Sequence, residues 1–184
     1  MLAAADRLFY RGGIRATSVD AVADEAGVTK RTLYHHFESK DDLVSAYLTR
    51  RDEPTRKALV RRVETRAQTA AARILLLFDM LEGWFESHDY RGCPFLNAAA
   101  ECAGDERVRL AAATHKDGMQ RWLTAQLAQA SADDPDAAAR MLMVAVDGAM
   151  ARALIYRGGE NARTGRKIAA LVLASAGVEL QDVA

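Results

Sequence analysis

Residues 17–40 read TSVDAVADEAGVTKRTLYHHFESK, and the fold follows from this stretch. Val19, Val22, Ala23 and Ala26 recur at helical spacing and make one apolar face opposite Asp20, Asp24 and Glu25, with Thr17 or Ser18 placed to cap the first turn. Gly27 ends that helix, since glycine takes the left-handed conformation past a helix end at no steric cost. Val28 then turns inward and Thr29 caps a second helix, from Lys30 to about His36. Leu33 and Phe37, four residues apart, share its buried side, which leaves Lys30, Arg31, Thr32, Tyr34, His35 and His36 to project elsewhere. Two short helices joined by a glycine turn form a helix-turn-helix pattern.

The projecting side chains have the chemistry of a major-groove reader. Lys30 and Arg31 can donate to phosphates or guanine edges, and Thr29 and Thr32 offer a hydroxyl or a methyl. Tyr34 can pack on a thymine methyl or bond a phosphate. Lys40 stands near the start of the next helix, where backbone N–H groups also attract phosphate. The competing reading is an ordinary helical hairpin whose polar face meets only water.

The run SVDAVADEAGVTKRTLYHHFESKDDL, with LFYRGGIRATS before it, resembles the DNA-binding domain of the TetR (tetracycline-repressor-like) family of bacterial transcription regulators, over about a quarter of the chain. The residues that carry the likeness are the Gly12–Gly13 turn, Ala23, Gly27, the TLYHHF run and Lys40. The resemblance implies a homodimeric, all-helical repressor whose larger C-terminal domain binds a small molecule and thereby releases DNA. It also implies Thr29, Lys30, Arg31, Tyr34, His35 and Lys40 as DNA contacts; Thr17, Ser18 and Thr32, at the starts of the two helices, complete the candidate set. His36 stands where relatives place an aromatic residue or histidine, and its role stays open. Relatives carry a further turn or more of basic sequence before the first helix, so an N-terminal arm is expected to be missing or to precede Met1.

Composition agrees with an all-α chain. Half of the 184 residues are apolar, three are proline, and no stretch alternates at period two. Net charge is zero, but residues 1–66 hold 13 basic and 10 acidic side chains against 12 and 15 in the remainder, an asymmetry of the sign that a nucleic-acid partner needs. No apolar run approaches the roughly 20 residues of a membrane span and no signal peptide is visible, which predicts a cytoplasmic protein. Cys93 and Cys102 make no metal motif; a helix joining them would hold them too far apart for a disulfide. Nucleophile elbows, metal-spaced histidines, phosphate loops and paired acids near a base are all missing, so neither an enzyme nor a cofactor or metal is expected. A helical small-molecule-binding or interaction protein without specific DNA binding remains the rival, as does an activator of the same fold.

About nine helices are expected, in a three-helix DNA-binding domain (1–46) and a helical ligand-binding and dimerisation domain (47–184). They run over 2–10, the hairpin, from 39–42 onward with a kink or restart at Pro54 capped by Asp52, 70–87, Pro94 to Gly104, 105–130, 135–156, and from about Thr164. The basic side chains Arg56, Lys57, Arg61, Arg62 and Arg66 read as a solvated face. Trp84, Phe85, Phe95, Met119, Trp122, Met143 and Met150 could line an adaptable apolar pocket or be plain core. Asn97, Glu101, His115 and Asp147 interrupt apolar faces, so they either satisfy one another or orient an apolar or aromatic effector. Gly148, Ala149, Arg152, Ala169 and Ala170 mark an expected four-helix dimer interface, where small residues let helices approach closely, with tight core as the alternative.

Overall fold

The computed structural model describes residues 1–180. Among these the chain forms α1 (Leu2–Gly12), α2 (Val19–Glu25), α3 (Lys30–His36), α4 (Lys40–Arg66), α5 (Ala70–Glu86), α6 (Pro94–Glu101), α7 (Glu106–Gln129), α8 (Pro135–Tyr156) and α9 (Glu160–Ser175), with no strand. Two compact units result. The first holds Met1–Thr55 and Cys93–His115; the second holds Arg56–Gly92 and the described chain from Lys116 onward. These units divide the chain differently from the boundary expected at residue 46, because α6 and the first turns of α7 pack with the N-terminal helices.

In the first unit, α2 packs on α1 and α3 on α2. Ser18, not Thr17, caps α2, its hydroxyl accepting from the Ala21 amide at 3.0 Å. Gly27 follows with φ 66°, and Thr29 caps α3 by accepting from the Thr32 amide at 3.1 Å. Phe9, Val22, Leu33, Leu43 and Leu48 are buried, and Phe9 meets Tyr47 edge-on at 5.6 Å. Burial also pushes the Tyr47 phenol above its ordinary pKa.

Of the two outcomes expected at Pro54, a kink or a restart, α4 sets aside the restart: the helix runs on through the proline, and the Asp52 carboxylate expected to cap it is buried and bonded to His115. An interior proline forfeits one backbone hydrogen bond and crowds the turn before it, at about 3 kcal/mol. Fully buried Leu48 on one side and Val63 on the other anchor the flanking turns, and Pro54 itself faces outward. Helix α9 begins at Glu160 rather than Thr164, because Ala162 is buried and extends the apolar stripe one turn earlier.

In the second unit α8 and α9 pack along each other and α5 packs against α9. Ile74, Phe78, Leu123, Leu142 and Leu173 are fully buried at its centre. At Gly165 a Cβ would lie 2.8 Å from the Phe78 ring, so α9 comes against α5 at a point where no side chain fits. Ala149 and Ala169 are buried within this same core and are therefore not available to a second copy, which corrects their placement in the dimer interface. Ala170 is half-buried and also packs on that core, whereas Gly148 and Arg152 are exposed. The exposed large apolar side chains of these helices are Met141, Val144, Leu154, Ile155 and Tyr156 on α8 and Ile168 and Leu171 on α9. No helix of the described residues is long and apolar enough to cross a membrane.

Candidate nucleic-acid interface and interior polar groups

Helix α3 has seven residues and buries only Leu33 completely. Lys30, Arg31, Tyr34 and His35 are exposed, and their spacing puts them on one side of the helix, away from Leu33. Lys30 Nζ donates to Asp20 Oδ2 of α2 at 3.0 Å, and this bond holds the ammonium above its usual pKa. The pair is open to solvent on both sides, where such contacts contribute little, so a phosphate can compete for the lysine. Thr29 and Thr32 share a hydroxyl–hydroxyl bond of 2.8 Å, leaving the Thr32 methyl as its apolar contact surface. The His35 and His36 rings meet edge to face at 5.5 Å. Lys40 Nζ donates to the Arg15 carbonyl at 3.4 Å.

Thr17 does not belong with these residues. It is buried, and its hydroxyl donates to the Gly13 carbonyl at 2.7 Å and approaches that of Leu8 at 3.4 Å, tying the end of α1 to the start of α2. It positions the hairpin rather than facing a ligand. Ser18 is exposed, but its oxygen is engaged as the cap of α2.

The interior polar candidates turn out to have protein partners that the sequence did not suggest. In the first unit, His115 Nδ1 lies 2.8 Å from Asp52 Oδ1, and the Phe95 ring stacks on the imidazole at 3.7 Å with the planes 3° apart. Glu101 turns toward the hairpin: its carboxylate accepts from the Arg15 amide at 2.8 Å, and its carbonyl accepts from Arg15 Nε at 2.8 Å. Gly13, with φ 85°, leaves the room for that carboxylate. Glu101 therefore serves α6 and the α1–α2 turn, which corrects its assignment to an effector pocket. Asn97 is half-buried on the same helix. A cleft of about 340 Å³ beside Glu101 is lined by Ile14, Arg15, Lys40, Asp41 and Cys102 among others.

In the second unit Asp147 of α8 is ion-paired to Lys116 of α7, a partner on another helix that local pattern does not mark. Trp84 and Phe85 close on Tyr90 at 5.0 Å each, and the Tyr90 hydroxyl donates to the Met150 carbonyl at 2.7 Å. Tyr90 lies between α5 and α6, where no periodicity marks it. Met119 and Met143 are buried in the same core, with Trp122 and Met150 partly buried against it. Among the described residues no group of three or more His, Cys, Asp or Glu is placed to hold a metal ion.

Comparison with known proteins decides the family. The profile described as "Bacterial regulatory proteins, tetR family" matches residues 1–47, and that described as "Transcriptional regulator LmrA/YxaF-like, C-terminal domain" matches residues 69–167. The chain belongs to the TetR family. TetR-family proteins are DNA-binding transcriptional regulators, and this chain is one of them. A TetR-family transcriptional regulator from Streptomyces coelicolor is similar at 33% identity and a TM-score of 0.83, with 95% of this chain and 93% of that one covered. The HTH-type transcriptional activator FasR of Mycolicibacterium smegmatis is 36% identical over 96 residues, 50% of this chain and 41% of its own length. The HTH-type transcriptional repressor KstR2 of Rhodococcus jostii is 46% identical over 48 residues, 26% of this chain and 24% of its own length. The chain thus spans less than half the length of these two curated relatives.

Proposed function

We propose that this TetR-family chain is a cytoplasmic, ligand-responsive repressor rather than an enzyme. As a homodimer it holds a pseudo-palindromic operator and is released by a small apolar or aromatic effector. The observation that supports it most is α3 itself, where Lys30, Arg31, Tyr34 and His35 stand exposed on one side of a helix capped by Thr29. Lys40 adds a cation at the start of α4. In a dimer the two recognition helices enter major grooves about one helical turn apart, roughly 34 Å.

The exposed apolar side chains of α8 and α9 support pairing with a second copy, since apolar patches of that kind mark association surfaces. The methionines and aromatic rings of the second unit support an apolar effector. Helices α4 and α7 both contribute residues to the two units, and α4 follows directly on α3, which supports α4 as the segment through which effector binding reaches the recognition helix.

The test is selection of operator sequences from genomic DNA with purified protein, followed by titration against salt. The expected outcome is one palindromic site whose affinity falls steeply as salt rises. Recovery of no preferred sequence would defeat the reading. The likeness to FasR supports a second reading, transcriptional activation from the same fold. A reporter driven by the selected site separates the two, because deletion of the regulator raises expression under repression and lowers it under activation.

A further inference from the structure

Trp122 of α7 holds a hydrogen-bond donor that the protein leaves unused. Its indole Nε1 is shut off from solvent and has no acceptor among the described residues. Interior donors are almost always matched, so an unmatched one calls for a physical cause. The ring packs against the apolar core of the second unit, and turning the N–H to water would drag the indole out of that contact. Arg51 Nε is likewise buried without an acceptor, but its guanidinium already holds Asp6 and lies over the Tyr10 ring, so nothing further is needed there.

The surroundings on α7 favour an acceptor from outside the chain. Gly118 lies one turn before Trp122 on the same side of the helix, and a Cβ there would come 2.8 Å from Arg56 Nε. The missing side chain lets the Arg56 guanidinium lie against the helix one turn before Trp122. The carboxylate of Asp147 in the same unit is taken by Lys116. A ligand oxygen would meet the Trp122 N–H as its unmatched donor, whereas a ligand donor would not satisfy it.

We propose that Trp122 selects the effector: the indole N–H donates to an oxygen of an otherwise apolar, ring-sized molecule, a ketone, ester or carboxylate. The inference rests on the reading of the second unit as effector-binding and names the chemistry that it recognises.

The chain has two tryptophans, Trp84 and Trp122, so indole-¹⁵N labelling gives two resonances, assigned with Trp122→Phe. The probes are acetophenone and ethylbenzene, which match in shape and differ in the acceptor oxygen. The expected result is tighter binding of the ketone by about fivefold, a displaced Trp122 resonance, and loss of the preference in Trp122→Phe, which keeps an aromatic ring. Equal binding of the two probes, a Trp122 resonance unmoved by the ketone, or a preference retained in Trp122→Phe would overturn the proposal; a water-satisfied N–H gives the first of these. If Trp122→Phe does not fold, the wild-type preference and resonance decide. Operator binding by the same preparation separates the two layers. Intact DNA binding with a silent indole removes only this proposal, and absent DNA binding removes the regulator itself.

Discussion

Thr17 and Tyr34 belong to one hairpin and have opposite tasks. Thr17 is buried, so Thr17→Val removes the donor to Gly13 and strands a carbonyl, at about 1–2 kcal/mol of stability read by chemical denaturation. Tyr34 is 44% exposed, and Leu33 is the residue of α3 that fills the core. Tyr34→Ala is therefore expected to leave the melting temperature within about 2 °C while weakening operator binding by tenfold or so, about 1.4 kcal/mol, in a gel-shift titration. At Cys102, burial first, and then the Asp41 and Glu101 carboxylates, push the thiol pKa up. A raised thiol pKa means less thiolate at any given pH, so alkylation of Cys102 by iodoacetamide at pH 8 should run slower than that of glutathione, and match it only in denaturant. The exposed face of α3 was legible from the hairpin spacing, because local period decides which side of a short helix is buried. Thr17 was not, because Thr17 and Ser18 cap equally well on paper and only the tertiary position of the Gly13 carbonyl chooses between them.

Among the elements, α4 and α9 each carry one residue at odds with helical geometry or packing. Pro54 sits outward in the middle of α4, where it lacks an N–H and crowds the preceding turn. Pro54→Ala is expected to raise stability by about 1–3 kcal/mol in thermal or chemical unfolding and to change effector response more than operator affinity. Gly165 is the reverse case. Alanine is the better helix former by about 1 kcal/mol, but here its methyl would drive into Phe78, which is fully buried and has nowhere to go. Overpacking of this kind costs about 1–3 kcal/mol, so Gly165→Ala should lower the denaturation midpoint in spite of its higher propensity. Helix positions were readable from apolar period and from a cap such as Thr29. At Pro54 the sequence left a kink and a restart both open, and only packing on both flanks, through Leu48 and Val63, decides that the helix runs on.

At the scale of the molecule, exposed apolar surface identifies the surface left for a partner. Leu171 is 71% exposed on α9 and Val144 74% on α8. Leu171→Glu disturbs no core contact and is expected to turn a dimer into monomers in sedimentation velocity, with the circular dichroism of the fold retained. An unchanged sedimentation coefficient would place pairing on another surface. The all-helical class and the DNA-reading end could be read from residues 17–40, because both depend on local pattern. Partners such as Asp52 for His115 or Arg15 for Glu101 could not, because nothing in the local sequence around either member of those pairs encodes the other.

The bond between Arg15 and Glu101 bears on how this chain could be recombined. A chimaera cut at residue 46 would carry away Gly13 and Arg15 and leave behind the carboxylate they receive. The transplanted reading head would keep its three helices but lose the support of α6. A graft that takes residues 93–115 along with the N-terminal segment would preserve the first unit intact, so the transferable module is discontinuous in sequence.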